Sequence, residues 1–208
     1  MNLKQIALNT YIEFSNYEGS QHIASEFSIY KTIEIIKKNN VKNILELGLG
    51  IGTIPSAVNA SFGNMINYTG TESNAFCLES LKRNLNFNSV KVYSSLNEIK
   101  VKQKQELVIV DGKDDELNKI STLISENGII MIEGDRKDQQ SKIYNMFPKA
   151  LYAHMISNKK NHPNGIFDKN SWQGGIKVFF INPTLSQKTY WFKERINTKL
   201  VYLKRKYF

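Results

Sequence analysis

The chain has 208 residues, of which 41% are hydrophobic and 23% are charged, so it is long enough to bury the core of one globular domain. Its net charge of +9 favours acidic partners such as nucleic acid, phosphorylated substrates or an anionic membrane, although plain solubility explains it equally well. A single cysteine, Cys77, excludes an internal disulfide. No signal peptide or membrane span is visible, so we expect a cytoplasmic protein.

Predicted helices and strands alternate through the first half of the chain. Residues 3–15 predict a short helix, and apolar residues at helical spacing predict an amphipathic helix over residues 22–38. The elements predicted next are a strand over 43–47, a helix over 53–62, a strand over 66–72, a helix over 74–87 and a strand over 90–95.

The second half of the chain continues this pattern. An apolar strand over 106–112 precedes a helix over 115–125, which the pair Asn127-Gly128 is expected to end. Because apolar strands that alternate with helices form a parallel sheet covered on both faces, we predict a doubly wound α/β domain with a mostly parallel seven-stranded sheet. Its last elements are a strand over 129–135, a helix over 137–147 and strands over 151–157 and 174–182.

Acidic residues stand at the ends of four predicted strands. They are Glu46, Glu72, Asp111 and Glu133. In doubly wound sheets, ligands bind outside the carboxyl ends of the strands. The agreement between these four positions predicts a ligand site at that edge of the sheet.

Three alternating glycines follow the first of these acids. Glu46 is followed by Gly48, Gly50 and Gly52, a spacing typical of a tight turn that runs from a strand into a helix. A dinucleotide-binding G-x-G-x-x-G fingerprint requires a third glycine where this chain has Thr53. A turn without any ligand is the other interpretation of the pattern.

This spacing resembles motif I of the class I S-adenosylmethionine-dependent methyltransferases, and the resemblance extends over about residues 40–182. It implies the Rossmann-like methyltransferase fold and a glycine turn, Gly48 to Gly52, that passes close under the methionine part of the cofactor. It also implies that Glu46 holds the cofactor's amino group, directly or through water.

The next two strand ends have roles implied by the same resemblance. Glu72 is placed to accept hydrogen bonds from both ribose hydroxyls, a chemistry that dinucleotide enzymes share. Ser94 and Ser95 end the following strand, where the family contacts adenine, and Ser95 is our candidate. The acidic residue usual at that point is absent from this chain.

The segment VIVDGKDDE, residues 108–116, resembles motif IV of small-molecule O-methyltransferases. It lacks the Asn/Asp-Pro-Pro-aromatic pattern of enzymes that methylate adenine N6 or glutamine. Asp111 is therefore a candidate for cofactor binding and for catalysis, and a turn carboxylate without either role is the alternative. In one branch of the family such acids hold a divalent metal, so Asp111, Glu133 and Asp135 are candidate Mg²⁺ ligands. Two other features of that branch, an Asp-Asn pair and a nearby histidine, are missing here.

A long polar loop precedes the last strand. It spans residues 158–175 and contains His162, Asp168 and Trp172. If the sheet ends in the family's antiparallel hairpin, this loop lies on the cofactor side, where long loops often carry function. His162 is our candidate catalytic base. His22 either reaches the site or lies on the surface.

The tail, residues 186–208, is predicted to form a basic amphipathic helix beyond the main domain, which spans 1–185. Its apolar stripe consists of Phe192, Ile196, Leu200, Leu203 and Tyr207. We expect this stripe to pack on the domain or on a second subunit in a homo-oligomer. Peripheral contact with an anionic membrane is the rival interpretation, and nucleic acid is not the expected partner.

Together these features predict methyl transfer from S-adenosylmethionine to a hydroxyl group of a small polar acceptor, such as a sugar. Two other classes stay open. One is a binding module that keeps the fold without the chemistry, and the other is an oxidoreductase with a nucleotide cofactor. Glu46 and Glu72 count against the first, and the glycine spacing counts against the second.

Overall fold

The computed structural model describes residues 2–85, 90–100, 103–112, 116–134 and 136–207. Within them one sheet is built from β1 (Asn43–Leu47), β2 (Asn67–Thr71), β3 (Val90–Tyr93), β4 (Gln105–Val110), β5 (Ile124–Glu133), β6 (Leu151–Met155) and β7 (Ile176–Phe180). The strand order is β3-β2-β1-β4-β5-β7-β6. The first five strands are parallel, and β7 runs antiparallel to both β5 and β6. The predicted mostly parallel, seven-stranded α/β fold is confirmed.

Helices cover both faces of this sheet. They are α1 (Leu3–Ser15), α2 (Glu26–Asn39), α3 (Thr53–Phe62), α4 (Ala75–Asn84), α5 (Ile120–Leu123), α6 (Lys137–Met146) and α7 (Leu185–Tyr207). The central strands β4 and β5 carry uninterrupted apolar runs, and residues 107–110 and 129–132 are at most 1% exposed. Such runs need cover on both sides. α1, α2 and α3 pack on one face, and α5 and α6 pack on the other.

The prediction of a helix over residues 115–125 is mostly wrong. α5 has only four residues, and the Asn127-Gly128 pair lies inside β5 rather than at a helix end. The reason is that Ile124 already pairs with Gln105 of β4, with an irregularity in register after it. Pairing with a buried strand outweighs the local turn signal here. Residues 86, 87, 115, 135 and 208 of the predicted elements lie outside the described residues.

The antiparallel hairpin places the late loop at the carboxyl edge of the sheet. Ile176 begins β7 opposite Glu133, the last residue of β5, and opposite Met155, the last residue of β6. The loop between β6 and β7 therefore starts and ends at the edge where the parallel strands end, as the sequence predicted. Ser25 Oγ, at the start of α2, donates a hydrogen bond of 3.2 Å to the backbone oxygen of Gly174 in this loop.

The inner face of α7 is packed on β6 and α2. Trp191 Nε1 donates a hydrogen bond of 2.8 Å to a backbone oxygen of β6, and Glu194 lies 2.9 Å from the Nζ of Lys31 on α2. Near the end of α7, Arg205 Nε donates to the backbone oxygen of Ser157 at 2.9 Å. α7 therefore runs alongside β6 toward the carboxyl edge of the sheet.

α7 thus packs on the domain, as expected, but it does so through its other side, and the apolar stripe takes no part in this packing. Packing of the stripe on a second subunit stays a prediction. The five side chains of the stripe are 43 to 68% exposed. The inward positions are held by residues with polar groups, whose partners lie on other elements. Across the described residues, no helix is both long and apolar enough to cross a membrane.

Candidate functional site

The glycine turn follows β1 in a conformation that glycine favours. Gly48, Gly50 and Gly52 have φ angles of +86°, +54° and +97°, which lie in the left-handed region. A Cβ at Gly48 would lie 2.5 Å from the Cα of Gly112, so Gly48 allows the turns after β1 and β4 to touch. A Cβ at Gly52 would crowd α4, whereas no described atom lies within 4 Å of a Cβ built at Gly50. The middle glycine therefore faces open space.

That space is a cavity of about 270 Å³. Glu46, Gly50 and Asp111 line it, and the segment before α2 and the start of α4 close it. The carboxyl ends of β1 and β4 form its floor, because the two strands are adjacent in the sheet. Three of the predicted site residues therefore meet at one cavity.

Glu46 lies in the floor of the cavity and is 1% exposed. The hydroxyl of Tyr68 donates to its Oε2 at 2.5 Å. Burial raises the pKa of Glu46 to about 8; the Tyr68 hydrogen bond opposes this shift, and the charge of Glu72 adds to it. A positively charged ligand group in the cavity would favour the ionised carboxylate. The residue is therefore suited to bind an ammonium group.

Glu72 links the glycine turn to α4. Its Oε2 accepts the N–H of Gly50 at 2.9 Å, and its Oε1 accepts the N–H groups of Ser73 and Asn74 at 2.9 and 2.8 Å. A carboxylate has about four lone-pair sites, so it can accept a further hydrogen bond from a ligand hydroxyl beside Gly50. Both Gly50 and Asn74 line the cavity.

Asp111 and Glu133 end adjacent strands and are linked through Arg136. The Nη2 of Arg136 lies 3.1 Å from Asp111 Oδ1, and its Nε donates to the backbone oxygen of Glu133 at 3.0 Å. Burial raises the pKa of both carboxyl groups, and the charges of Glu133 and Glu46 raise that of Asp111 further. Arg136 lowers both pKa values. The guanidinium group thus supplies the positive charge that this acidic pair requires.

The same arrangement is a poor fit for Mg²⁺, which prefers a shell of oxygen ligands. Asp111 is already paired with Arg136, and Asp135 lies outside the described residues. Among the described His, Cys, Asp and Glu side chains, no group of three or more is arranged to hold a metal ion. The Mg²⁺ site remains a prediction from resemblance.

The structure does not bring His162 to the cavity. His162 Nδ1 accepts the N–H of Asn164 at 3.2 Å within its own turn. The following residues contact α1, where the N–H of Ile166 donates to Ser15 Oγ at 3.1 Å. The histidine that lines the cavity is His22, in the segment before α2. Its position in a short turn between two helices gave no periodic signal by which to choose it.

Ser95 and the remaining loop residues have local partners. Ser95 follows β3 and begins a short 3₁₀ turn over Leu96–Glu98. Asp168 accepts hydrogen bonds from Asn170 and Ser171 in its own loop, which lower its pKa. These residues lie at the carboxyl edge without lining the cavity. Two lining residues that the sequence analysis missed are Phe76 and Asn74, at the start of α4.

Comparisons with known proteins agree with this architecture. No family model matches the chain, and no curated protein matches its sequence at a significant level. An O-methyltransferase from Bacillus cereus in complex with SAH (S-adenosylhomocysteine) is similar in structure, with a TM-score of 0.59 and 10% identity over 85% of this chain and 90% of that one.

Two further solved structures are similar over most of the chain. The O-methyltransferase TomG from Streptomyces achromogenes, in complex with S-adenosylmethionine, gives a TM-score of 0.60 and 10% identity over 88% of this chain and 91% of its own. The tRNA (m1A58) methyltransferase TrmI from Aquifex aeolicus gives 0.60 and 15% over 88% of this chain and 77% of its own. The chain therefore has the fold of the class I S-adenosylmethionine-dependent methyltransferases.

Proposed function

We propose that the chain is an S-adenosylmethionine-dependent methyltransferase that acts on a hydroxyl group of a small polar acceptor such as a sugar. The observation that supports this most strongly is the buried carboxylate of Glu46 in the floor of a cavity beside Gly50, a glycine with open space at its Cβ position. Two of the similar structures hold S-adenosylmethionine or SAH.

The cofactor's groups are matched by residues around the cavity. Glu46 accepts hydrogen bonds from the α-ammonium group, and the bare Cα of Gly50 allows the methionine part to lie close. Glu72, which orients the turn, accepts a hydrogen bond from the ribose. Ser95 is the candidate for adenine contact because it follows β3, next to the strand that ends at Glu72.

The chain's catalytic task is to position the acceptor and to take one proton. When bound, the cofactor's sulfonium supplies an activated methyl group. The residues around the cavity would position the acceptor oxygen beside the methyl donor, and positioning of this kind is a main source of rate. Asp111, which lines the cavity, would accept the proton that the acceptor hydroxyl loses when its oxygen takes the methyl group from sulfur and SAH is left. Burial and the charge of Glu133 raise the pKa of this carboxyl group, which favours its holding a proton.

Two lines of support concern the acceptor. The strand that ends at Asp111 lacks the Pro-Pro-aromatic pattern typical of nitrogen-methylating enzymes. Moreover, two of the similar structures are O-methyltransferases, although a third acts on tRNA. A hydroxyl on a small molecule is therefore the first acceptor class to assay.

The binding step is tested by calorimetric titration with SAH, NAD and NADP. We expect SAH alone to bind, and we expect Glu46→Gln to weaken it. Because Glu46 is partly protonated near neutral pH, SAH binding should release protons, which titrations in buffers of different ionisation enthalpy measure. Binding of NAD instead of SAH would favour the oxidoreductase.

The chemical step is tested with labelled cofactor and a panel of hydroxylated acceptors. Asp111→Asn should keep SAH affinity and lose turnover. His22→Asn serves as the comparison, because His22 also lines the cavity. If the wild type binds SAH but methylates no acceptor in the panel, the result favours a binding module that lacks the chemistry. If only the His22 variant is inactive, the catalytic base is His22 rather than Asp111.

A further inference from the structure

The outward side of α7 is an apolar surface that nothing in the described chain covers. We define the outer face of α7 as Phe192, Ile196, Leu200, Leu203 and Tyr207, whose side chains are 43 to 68% exposed. Successive members are three or four residues apart in the sequence, which places them on one line along the helix. Contiguous exposed apolar surface of this kind marks a contact site.

This face lies opposite the side that packs on the protein. Glu194 and Gln187 point inward and are 5% and 7% exposed. At 100° per residue, Glu194 lies about 160° from Phe192 around the helix axis. The domain therefore holds α7 by one side and presents the other side to solvent.

Basic residues flank the outer face on both sides. With 3.6 residues per turn, Lys188, Arg195, Lys199 and Lys206 fall along one border, and Lys193 and Lys204 fall along the other. All six are exposed. The single acid within Leu185–Tyr207 is Glu194, which points inward and pairs with Lys31. The border is thus uniformly positive.

We propose that the outer face of α7 binds the surface of an anionic lipid bilayer. The helix has 23 residues and a length of about 34 Å, and it lies flat at the boundary between headgroups and acyl chains. The apolar side chains enter that boundary while the flanking lysines extend to the phosphates, because their stems are long enough to reach the headgroups. Each basic residue near such a surface raises the partition coefficient about fivefold.

Charge distinguishes the bilayer from a second copy of the chain. Two outer faces packed together would bring twelve cations, six from each copy, to one interface, and no carboxylate of α7 would balance them. Like charges in register oppose association. A bilayer containing anionic lipid supplies the missing negative charge and an apolar medium together.

The aliphatic character of the outer face favours a bilayer over nucleic acid as its partner. The centre of the outer face consists of Ile196, Leu200 and Leu203, which are aliphatic. Single-stranded nucleic acid needs aromatic rings for base stacking, and the phosphates of a duplex need polar groups. An aliphatic stripe between rows of cations fits lipid better than either.

The test is sedimentation of the full chain with vesicles of phosphatidylcholine alone or of phosphatidylcholine mixed with phosphatidylglycerol. We expect binding to the mixed vesicles only, and we expect added salt to weaken it. The apolar variant is Ile196→Asp with Leu203→Asp. Its matched control is Met65→Asp with Ile166→Asp, at positions that are also exposed and apolar but lie outside α7.

A second pair of variants tests the charge. Lys199→Glu with Lys206→Glu changes the border of the outer face, and Lys142→Glu with Lys149→Glu makes the same change in net charge at exposed positions elsewhere. We expect the apolar variant to lose at least about tenfold in partition coefficient, and the Lys199 and Lys206 variant to lose about fivefold or more for each lysine. Both controls should bind like the wild type. All melting temperatures should stay close to that of the wild type.

Three results would overturn the proposal. The first is a wild type that fails to sediment with the mixed vesicles. The second is a lipid-free dimer, seen by analytical ultracentrifugation, that only the apolar variant dissociates, since this assigns the face to a second copy. The third is binding of an oligonucleotide at physiological salt that the Lys199 and Lys206 variant abolishes while vesicle binding survives.

Discussion

Gly50 offers a direct test of the proposed cofactor cavity, because the chain contains a second glycine with a positive φ and open space at its Cβ position. Gly50 and Gly63 have φ angles of +54° and +55°, and no described atom lies within 4 Å of a Cβ built at either position. Gly63 follows α3, outside the cavity. Alanine at either site therefore introduces backbone strain without a clash with the described atoms. Gly63 has a ψ of −139°, outside the left-handed helical region, so its strain is expected to be at least as large.

The magnitude follows from the left-handed conformation. A non-glycine L-residue in this conformation destabilises the folded state by about 1–2 kcal/mol. In a chain of this size, that loss lowers the melting temperature by about 2–8 °C. We expect this loss in Gly50→Ala and a loss of at least this size in Gly63→Ala. A Cβ extends about 1.5 Å from Cα, so a ligand in contact with the bare Gly50 must move by a distance of that order.

The assay is calorimetric titration of SAH into the wild type and the two variants, with thermal unfolding measured in parallel. We expect Gly50→Ala to bind SAH at least about tenfold more weakly, which is a loss of about 1.4 kcal/mol, and Gly63→Ala to bind like the wild type. Equal SAH affinities in the two alanine variants would refute the reasoning, because the turn would then be structural only.

Three further predictions concern charged groups in or beside the cavity. Glu72→Ala should weaken SAH binding by about ten- to a hundredfold, because a ribose hydroxyl loses its acceptor and the N–H of Gly50 loses its partner. The raised pKa of Glu46, about 8 against an ordinary value of 4.5, means that the folded protein keeps a proton that the unfolded chain loses. The free energy of unfolding should thus fall as pH rises from about 4.5 to 8, and Glu46→Gln should flatten part of that fall in urea titrations. Arg136→Ala should lower the free energy of unfolding at neutral pH by about 1–3 kcal/mol, and Asp111→Asn in the same chain should restore part of it.

The Glu72 and Glu46 variants each have a control on the surface. Glu79→Ala removes an exposed carboxylate of α4 that pairs with Lys82 and should leave SAH affinity unchanged. Glu126→Gln should leave the pH dependence of stability unchanged. A decline with pH that persists in full in Glu46→Gln would show that other groups cause it. Equal stabilities of Arg136→Ala and the wild type would show that the pair with Asp111 contributes nothing.

The sequence was sufficient for the elements whose signal is local. The predicted helix over 22–38 is observed as Glu26–Asn39, and the strand that ends at Asp111 is observed as Gln105–Val110, because periodicity and apolar runs reflect burial on one or both sides. The meeting of Glu46 and Asp111 at one edge followed from the same logic, since parallel strands end on the same side of a sheet.

What the sequence could not show depends on contacts between distant residues. The inward side of α7 is defined by partners such as Lys31, which is 163 positions from Glu194, so periodicity alone chose the apolar stripe as the packing side. The choice between His22 and His162 similarly depended on how the loop between β6 and β7 lies against α1. Neither contact has a local signature in the chain.

The contact between the turns after β1 and β4 has a consequence for how this protein can change. Gly48 and Gly112 approach so closely that a Cβ on either would meet the backbone of the other at 2.5 to 2.8 Å. A clash caused by substitution of Gly48 cannot be relieved by a smaller side chain at position 112, or the reverse, because glycine has no side chain to shorten. These two positions must therefore remain glycine when other positions around the cavity change. A change in what the cavity binds has to come from lining positions such as His22 and Phe76, where side chains are present to be exchanged.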